Sequence, residues 1–576
     1  MKMELDNRFL TREYLKNLFP MIFSVLGGTI NTLIDSVFIS ARLGETALAA
    51  VNMSMPVYLV VCTLGTLIVG GASVLSSREA GAQRMDKAVE YCRTAFTVCA
   101  LFGSLLMAAG ALLCHPVTDM LSQGSGLEEY IYGYCFVTMF SIPSLILSYL
   151  PIYYLQLDGK SHEITVMMRI MIITDVVLDY VLLYLIPLGV YGAALASLLS
   201  TLASCIYGFY ALARGFSNYH VRPVKFGMSQ VGEIVRNGSP SALGNFADAV
   251  KLLLLNSIVL YAGGTSAAAV WAVLNTMSEL AVAITSGVPA AAAPMMGAYV
   301  SSRENGGLRI LVRLQMRWGL LLTAVYAVLL AVGSGVLRKV FSINQSLFMP
   351  LSCLGVYVVI DGVIGIWTVF FQAAGRLLLS NLLMLGRKLL FPVAAAWALM
   401  LTGGYLWLFA PVAAVCTILM GLAATQMVYS KNKTGDHALS RILLLDDYLE
   451  REKKVLDFSI VPTVENICSA SGQIVDFCTI NHLDPRQTMR LQLSIEELLT
   501  VIVQKITDLE AVDLRAFALE ENTGIRIRYA GKLYNPFAHS ADEDEDMMMG
   551  VSMLEKMAED TNYIYSFGMN IINVVV

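Results

Sequence analysis

Twelve long apolar runs constrain this chain more than any other feature. They lie near residues 17–40, 47–76, 94–114, 130–157, 164–187, 190–212, 237–262, 265–300, 316–336, 345–374, 378–401 and 405–429. A bilayer crossing needs about 20 apolar residues, so each run is long enough to span. Several are longer than a crossing needs and are expected to tilt or to project beyond the bilayer. The first run lacks a cleavage site and exceeds the length of a signal h-region, so it reads as a retained helix. Charge supports the same division. Residues 1–436 carry 27 Lys+Arg against 21 Asp+Glu, whereas residues 437–576 carry 12 against 23. A weakly basic membrane part is thus followed by an acidic aqueous part, which excludes a large soluble enzyme.

The connecting loops sort by charge. Arg78, Arg84, Lys87 and Arg93 follow the second run, Arg214, Arg222, Lys225 and Arg236 the sixth, and Arg303, Arg309 and Arg313 the eighth. The loops after the third, fifth, seventh and eleventh runs carry no Lys or Arg; Arg42, Arg338 and Lys339 are exceptions to the alternation. Positive loops stay cytoplasmic, which puts both termini and the tail in the cytoplasm and the protein in the inner membrane. The ten cysteines include no CxxC pair, and no His pair has ligand spacing, so no metal site is expected and the thiols read as buried and free.

An internal repeat is visible at an offset of roughly 215–225 residues. Pro20 and Gly44 recur as Pro240 and Gly264. The segment Ser76-Ser77-Arg78-Glu79-x-Gly81 recurs as Ser301-Ser302-Arg303-Glu304-x-Gly306, and Gln156-x-x-Gly159-Lys160 as Gln372-x-x-Gly375-Arg376. Each half holds six runs, an even number, so the halves point the same way about an axis along the membrane normal. The expected architecture is an all-α polytopic protein with two parallel six-helix lobes, residues 1–215 and 216–435. A charged helical linker at 436–454 then leads to a cytoplasmic α/β sandwich at 455–576. The space between the lobes is the expected substrate cavity.

These residues resemble the multidrug and toxic compound extrusion (MATE) family of transporters. The segment from Pro20 through Asp35 to Gly44 and Ala47–Ala50 is similar to the family's opening signature, and Gly238-Ser-Pro240 to the start of its second lobe. Leu178-Asp179 and Gly189-Val-Tyr-Gly192 fit its fifth and sixth helices. The resemblance covers about residues 10–430. It implies a proton- or sodium-coupled antiporter that exports organic, cationic compounds, acts as a monomer, and needs no cofactor beyond the coupling ion. Other classes are a flippase for a lipid-linked oligosaccharide and a membrane-bound sensor signalling through its tail. The mainly acidic intramembrane charges rank the flippase second.

A charge at mid-bilayer costs at least ~2.5–3.5 kcal/mol, so such residues are functional candidates. Asp175 and Asp179 are four apart and share a helical face. Two carboxylates so close require a shared proton or a cation between them. The resemblance assigns Asp35 and Asp179 to cation coupling, with Asp175 an added acid where many relatives carry Asn. In the second lobe Asp248, Asn245 and Asp361 are candidates for substrate or cation contact, and Lys251 stands one turn from Asp248. The methionines, Tyr153-Tyr154 and the Tyr130–Phe140 stretch are candidate cavity lining.

The tail reads as strands at 455–461, 514–519, 525–529, 563–566 and 570–576, with helices at 463–481, 485–506 and 551–559. It resembles the ATP-binding fold of anti-sigma-factor serine kinases. Glu497 matches their basic Glu, but Val501 stands where Asn holds magnesium. Gly531 and Pro536-Phe537 remain without the adenine-reading Asp, and Gly550-Val-Ser552 replaces Gly-x-Gly. These departures imply a fold kept without kinase activity, serving regulation or a cytoplasmic protein partner. The acidic run 542–546 falls where the resemblance places a lid. Nothing in the sequence suggests nucleic-acid binding; a small organic substrate and membrane lipid are the expected partners.

Overall fold

A computed structural model of the full chain describes residues 7–122, 128–214, 217–224, 226–340, 345–432, 438–506, 509, 511–519, 522–538, 545–566 and 568–576. Most of the acidic run 542–546 lies outside these residues. Among the described residues ten helices are long and apolar enough to cross a membrane, from Met53–Gly81 to Leu406–Ser430. The first and fifth expected runs are also helical, at Asn7–Leu43 and Ser161–Tyr180, and both carry acids. Outward-facing side chains such as Leu105, Val328 and Val332 are exposed and apolar. Such a surface suits hydrocarbon rather than water, and helices are among the few structures that satisfy every backbone group within a bilayer.

The repeated glycines explain part of the repeat. Gly159 and Gly375 have φ of 73° and 75°, and Gly44 and Gly264 have 85° and 64°. Each pair turns the chain between helices at the equivalent point of its lobe, where a side chain would be strained. Gly264 therefore breaks what would otherwise be one helix, Met228–Ser301.

The lobes meet at the ends that face the tail. Gly71 and Gly238 let the two backbones touch: a Cβ at Gly71 would lie 2.7 Å from the Gly238 nitrogen, and one at Gly238 2.8 Å from the Leu67 carbonyl carbon. Small residues permit such an approach. Arg78 of the first lobe donates to the Ala373 and Gln372 carbonyls at 2.8 and 2.5 Å and to Asn237 Oδ1 at 3.1 Å. Gln156 donates across the seam to the Ala290 carbonyl at 2.7 Å. The lobes are closed against each other on the side that faces the tail.

The tail forms one antiparallel sheet of β1 (Val455–Ile460), β2 (Val512–Ala518), β3 (Thr523–Ala530), β4 (Asp560–Ser566) and β5 (Met569–Val575), in the order β1-β2-β3-β5-β4. Helices Val464–Ile480, Pro485–Lys505 and Glu545–Met557 accompany it. Strand residues alternate between faces. Phe458, Leu514, Ala516, Ile525, Ile527 and Ile572 pack with Ile495 and Leu498 of the helical layer in the tail's own core. The opposite face carries Asp457, Asp513, Arg515, Arg526 and Arg528. It is buried against the membrane domain, so the domain is a two-layer unit docked through its sheet. The connection at 438–451 is a strap of two short helices, Ala438–Leu443 and Tyr448–Arg451, instead of one helical linker. Leu443, Leu444 and Leu445 are buried against the lobes.

Candidate functional site

The first-lobe acids converge. Asp35 of the first helix and Asp175 and Asp179 of the fifth place carboxylate oxygens within 4.8 Å of one another. Both acids of the fifth helix are 1% exposed. Asn31, one turn before Asp35, donates to Asp175 at 2.6 Å, and Ser200 donates to its other oxygen at 2.8 Å. Asn31 Oδ1, Asp35 Oδ1 and Asp179 Oδ2 are buried without a hydrogen-bond partner. Three converging carboxylates, two of which keep a buried oxygen without a partner, suit a proton or a hard cation. A cavity of about 130 Å³ reaches the cluster past Asn31, Asp35, Ser54, Tyr58, Tyr134 and Ser200.

A larger cavity of about 510 Å³ lies between the lobes, in the size range that holds a drug-sized molecule. The two cavities share Gly28, Tyr58, Leu145, Ser148, Met168 and Met171 as a common wall. Tyr149, Tyr153, Met21 and Met384 also line the larger one. Tyr153 thus meets the expectation of an aromatic lining, whereas Tyr154 is buried and bonds Ser76 at 3.0 Å instead.

The second lobe corrects the expectation of a mainly acidic interior. Asp248 accepts from Lys251 at 2.7 Å and from Lys388 at 2.6 Å. Asp361 Oδ2 accepts from Arg387 Nη2 at 2.9 Å, and Nε lies 2.9 Å from Oδ1 as an ion pair without hydrogen-bond geometry. Neither carboxylate is free for a cation, because each has its counter-charge already. Asn245 donates to Thr66 of the first lobe at 3.2 Å and serves the seam. Arg387 and Lys388 were not singled out from the sequence. The cost argument applied to intramembrane acids holds equally for two bases in an apolar run, so the signal was there.

In the tail, the described nucleotide-box positions leave little space beside Glu497. Glu497 packs against Gly550, where a side chain would collide with its carboxylate. The space beside them is about 40 Å³, lined also by Arg490 and Met553. Val501 is buried and Gly531 has φ of 131°.

The docked face of the tail is the larger finding, and it also escaped the sequence reading. Glu304, in the turn after the eighth run, is 4% exposed and accepts from Arg526 at 2.8 Å and from Arg528. Arg515 donates to the Arg303 carbonyl at 3.1 Å and pairs with Asp457 at 3.1 Å. Arg528 also lies 4.6 Å from the centre of the Tyr299 ring. The strap binds the same lobe, with Arg309 paired to Glu450 at 2.6 Å and to Asp447 at 3.3 Å. On the first lobe Asn562 donates to the Gln83 carbonyl at 3.3 Å, Ser566 to the Leu157 carbonyl at 3.4 Å, and Asn218 to the Tyr565 carbonyl. The tail therefore grips both lobes.

Comparison with known proteins agrees with this geometry. Residues 20–181 match the MatE family. The multidrug export protein MepA of Staphylococcus saprophyticus is 22% identical over 62% of this chain and 80% of its own. A protein named FAD transporter from Shewanella oneidensis is 26% identical over 33% of this chain and 42% of its own. A crystal structure of a MATE protein in complex with MaD3S superposes with a TM-score of 0.68 at 21% identity, over 74% of this chain and 98% of that one.

Proposed function

We propose that the membrane-spanning part of this chain is a transporter of the MATE family, to which its residues 20–181 and its fold are similar, and that it works as a cation-coupled antiporter exporting an amphipathic organic compound with a cationic aromatic body. The chain is a multi-pass membrane transporter of small molecules and not an enzyme. The observation that carries the coupling is the Asp35, Asp175, Asp179 cluster, in which one oxygen of Asp35 and one of Asp179 are buried without a partner.

Three carboxylates cannot all remain charged at that separation in a dry site. Entry of a proton or a sodium ion relieves the repulsion and draws the first helix toward the fifth. The cluster adjoins the substrate cavity through Tyr58, Met168 and Met171, so a shift there reshapes the cavity wall. One charge moving through 100 mV supplies ~2.3 kcal/mol, enough to bias two states of the lobes. Tyr58, Tyr149 and Tyr153 offer ring faces to a cationic body. The tail holds both lobes while their cytoplasmic ends are together, and so favours this arrangement over the one open to the cytoplasm. The charge of the loops supports an inner-membrane location with both termini and the tail inside, and each lobe pair forms a complete pathway in one monomer.

Vesicles carrying the wild type or Asp35→Asn, loaded with ethidium and given sodium and proton gradients separately, test the reading. Efflux driven by one gradient and lost in the variant is expected; wild-type rates in the variant would refute it. A flippase for a lipid-linked oligosaccharide is the second reading, favoured by Arg387 and Lys388 in the cavity. Gradient-driven efflux of a water-soluble dye decides against it.

A further inference from the structure

The two lobes carry opposite charge at equivalent places. The fifth run holds Asp175 and Asp179; its counterpart in the repeat, the eleventh, holds Arg387 and Lys388. The two bases sit in a π-helical turn, Gly386–Leu390. Such turns are rare and concentrate at functional sites. Both bases line the central cavity.

The charge count of that lining is informative. Its charged residues are Asp248, Arg387 and Lys388, one acid against two bases. Asp248 also serves two ammonium groups at once, Lys251 and Lys388, so that triad carries an excess positive charge. Asp361 accepts from Arg387 Nη2 and pairs with Nε as an ion pair. The guanidinium fits beside Gly365, where a Cβ would lie 2.9 Å from its Nη1. Glu279, on a neighbouring helix, does not line the cavity but is close enough to act electrostatically on Lys251, Lys388 and Asp248, so it offsets the triad's charge while the lining itself keeps two bases against one acid. Lys388 has three donors and one carboxylate oxygen, and its side chain is 13% exposed. A lining with this sign gives no purchase to a simple cation at its second-lobe end. It does offer charge-assisted donors to an oxyanion.

We propose that the second-lobe end of the cavity, at Lys388 and Arg387, is a subsite for an anionic oxygen group, so that the exported molecule carries a carboxylate or phosphate in addition to its aromatic cationic body. The aromatic body lies on Tyr149 and Tyr153 and the acid group reaches Lys388, which shares itself between Asp248 and the substrate. Arg387, fixed by Asp361, adds positive field without leaving its partner. The inference rests on the exporter reading, in which this cavity is the substrate site.

The test is a matched pair of dyes, rhodamine B, which has a free carboxylate, and its ethyl ester, which lacks one. Binding to the full-length protein in detergent is read by fluorescence anisotropy. The wild type is expected to hold the acid about tenfold more tightly than the ester, the size of one charge-assisted hydrogen bond. Lys388→Gln should bring the ratio to about one, Lys388→Arg should restore it, and Lys556→Gln in the tail should leave it unchanged. A wild type that prefers the ester, that binds neither dye, or whose ratio survives Lys388→Gln overturns the subsite. Gradient-driven efflux of ethidium in vesicles reports on the exporter reading separately, so loss of one can be told from loss of the other.

Discussion

Glu304→Gln should release the tail from the membrane domain. In the docked state burial pushes the Glu304 carboxyl upward, but the guanidinium groups of Arg528, Arg515 and Arg526 outweigh it and hold it at about 2, against an ordinary 4.5. Burial works against the guanidiniums as well. It wins at Arg526, whereas the carboxylate wins at Arg528. The Glu304 displacement corresponds to about 3 kcal/mol of docking free energy. The cost of stranding a buried charge by removing its partner gives a similar figure, about 3–5 kcal/mol. The docking equilibrium should then fall by roughly a hundredfold or more. Hydrogen exchange at β2 and β3 reads it directly, since their docked face becomes accessible when the tail leaves. Glu304→Gln should lose protection there while the membrane helices keep theirs, and Glu452→Gln, at an exposed pair with Arg451, should change nothing. Unaltered protection in Glu304→Gln would show that apolar contacts such as Met569 and Ile571 hold the tail, and the electrostatic argument would fail.

Other outcomes follow from the same structure. Docking depends on pH in two opposed ways: the Glu304 contribution is present above about 4.5 and is lost as pH falls through about 2. Asp457 and Asp513 are raised by burial to about 6 from 3.8, so their contribution is present below about 3.8 and lost as pH rises through 6. A tail-to-lobe distance from paired spin labels should therefore be shortest near pH 4 to 5, and a monotonic profile would count against the assignment. Asp361→Asn strands the buried Arg387 guanidinium and should cost about 3–5 kcal/mol in thermal unfolding in detergent, with Asp361→Leu/Arg387→Met recovering most of it; a single variant as stable as wild type contradicts the pairing. Gly238→Ala forces a methyl against the Leu67 carbonyl and should part the lobes on the tail side. Faster labelling of a cysteine placed at Ser241 by a reagent on the tail side is the expected sign, and unchanged labelling would sink the idea. Finally, equilibrium dialysis of the full chain against labelled ATP should show no retention, because Glu497 and Gly550 fill the site; micromolar binding would refute that.

Continuous apolar runs made the membrane helices legible, since a span must satisfy its own backbone within one such run. The acids stood out for a similar reason: a carboxylate in such a run is costly on any fold, and the i,i+4 spacing of Asp175 and Asp179 placed both on one face before any tertiary contact was known. The tail strands were legible from alternation, but alternation says only that one face is polar and not what covers it. The second lobe was misjudged because the sign of a buried cluster depends on which helices meet. Asp248 reads as an acid with one neighbouring base, Lys251, until Lys388, 140 residues away, is brought to 2.6 Å.

The repeat itself draws the line between the two sources. Sequence alone aligns Glu79 with Glu304, in the same motif at the same point of each lobe. The structure gives Glu79 to Arg84, a partially exposed neighbour at 2.8 Å, and gives Glu304 to Arg526 and Arg528 of the tail. Local pattern fixes where a carboxylate emerges, because turns and helix ends follow from adjacent residues. Its partner is fixed by packing, because the desolvated face of a sheet more than 200 residues away admits only a charge that neutralises it.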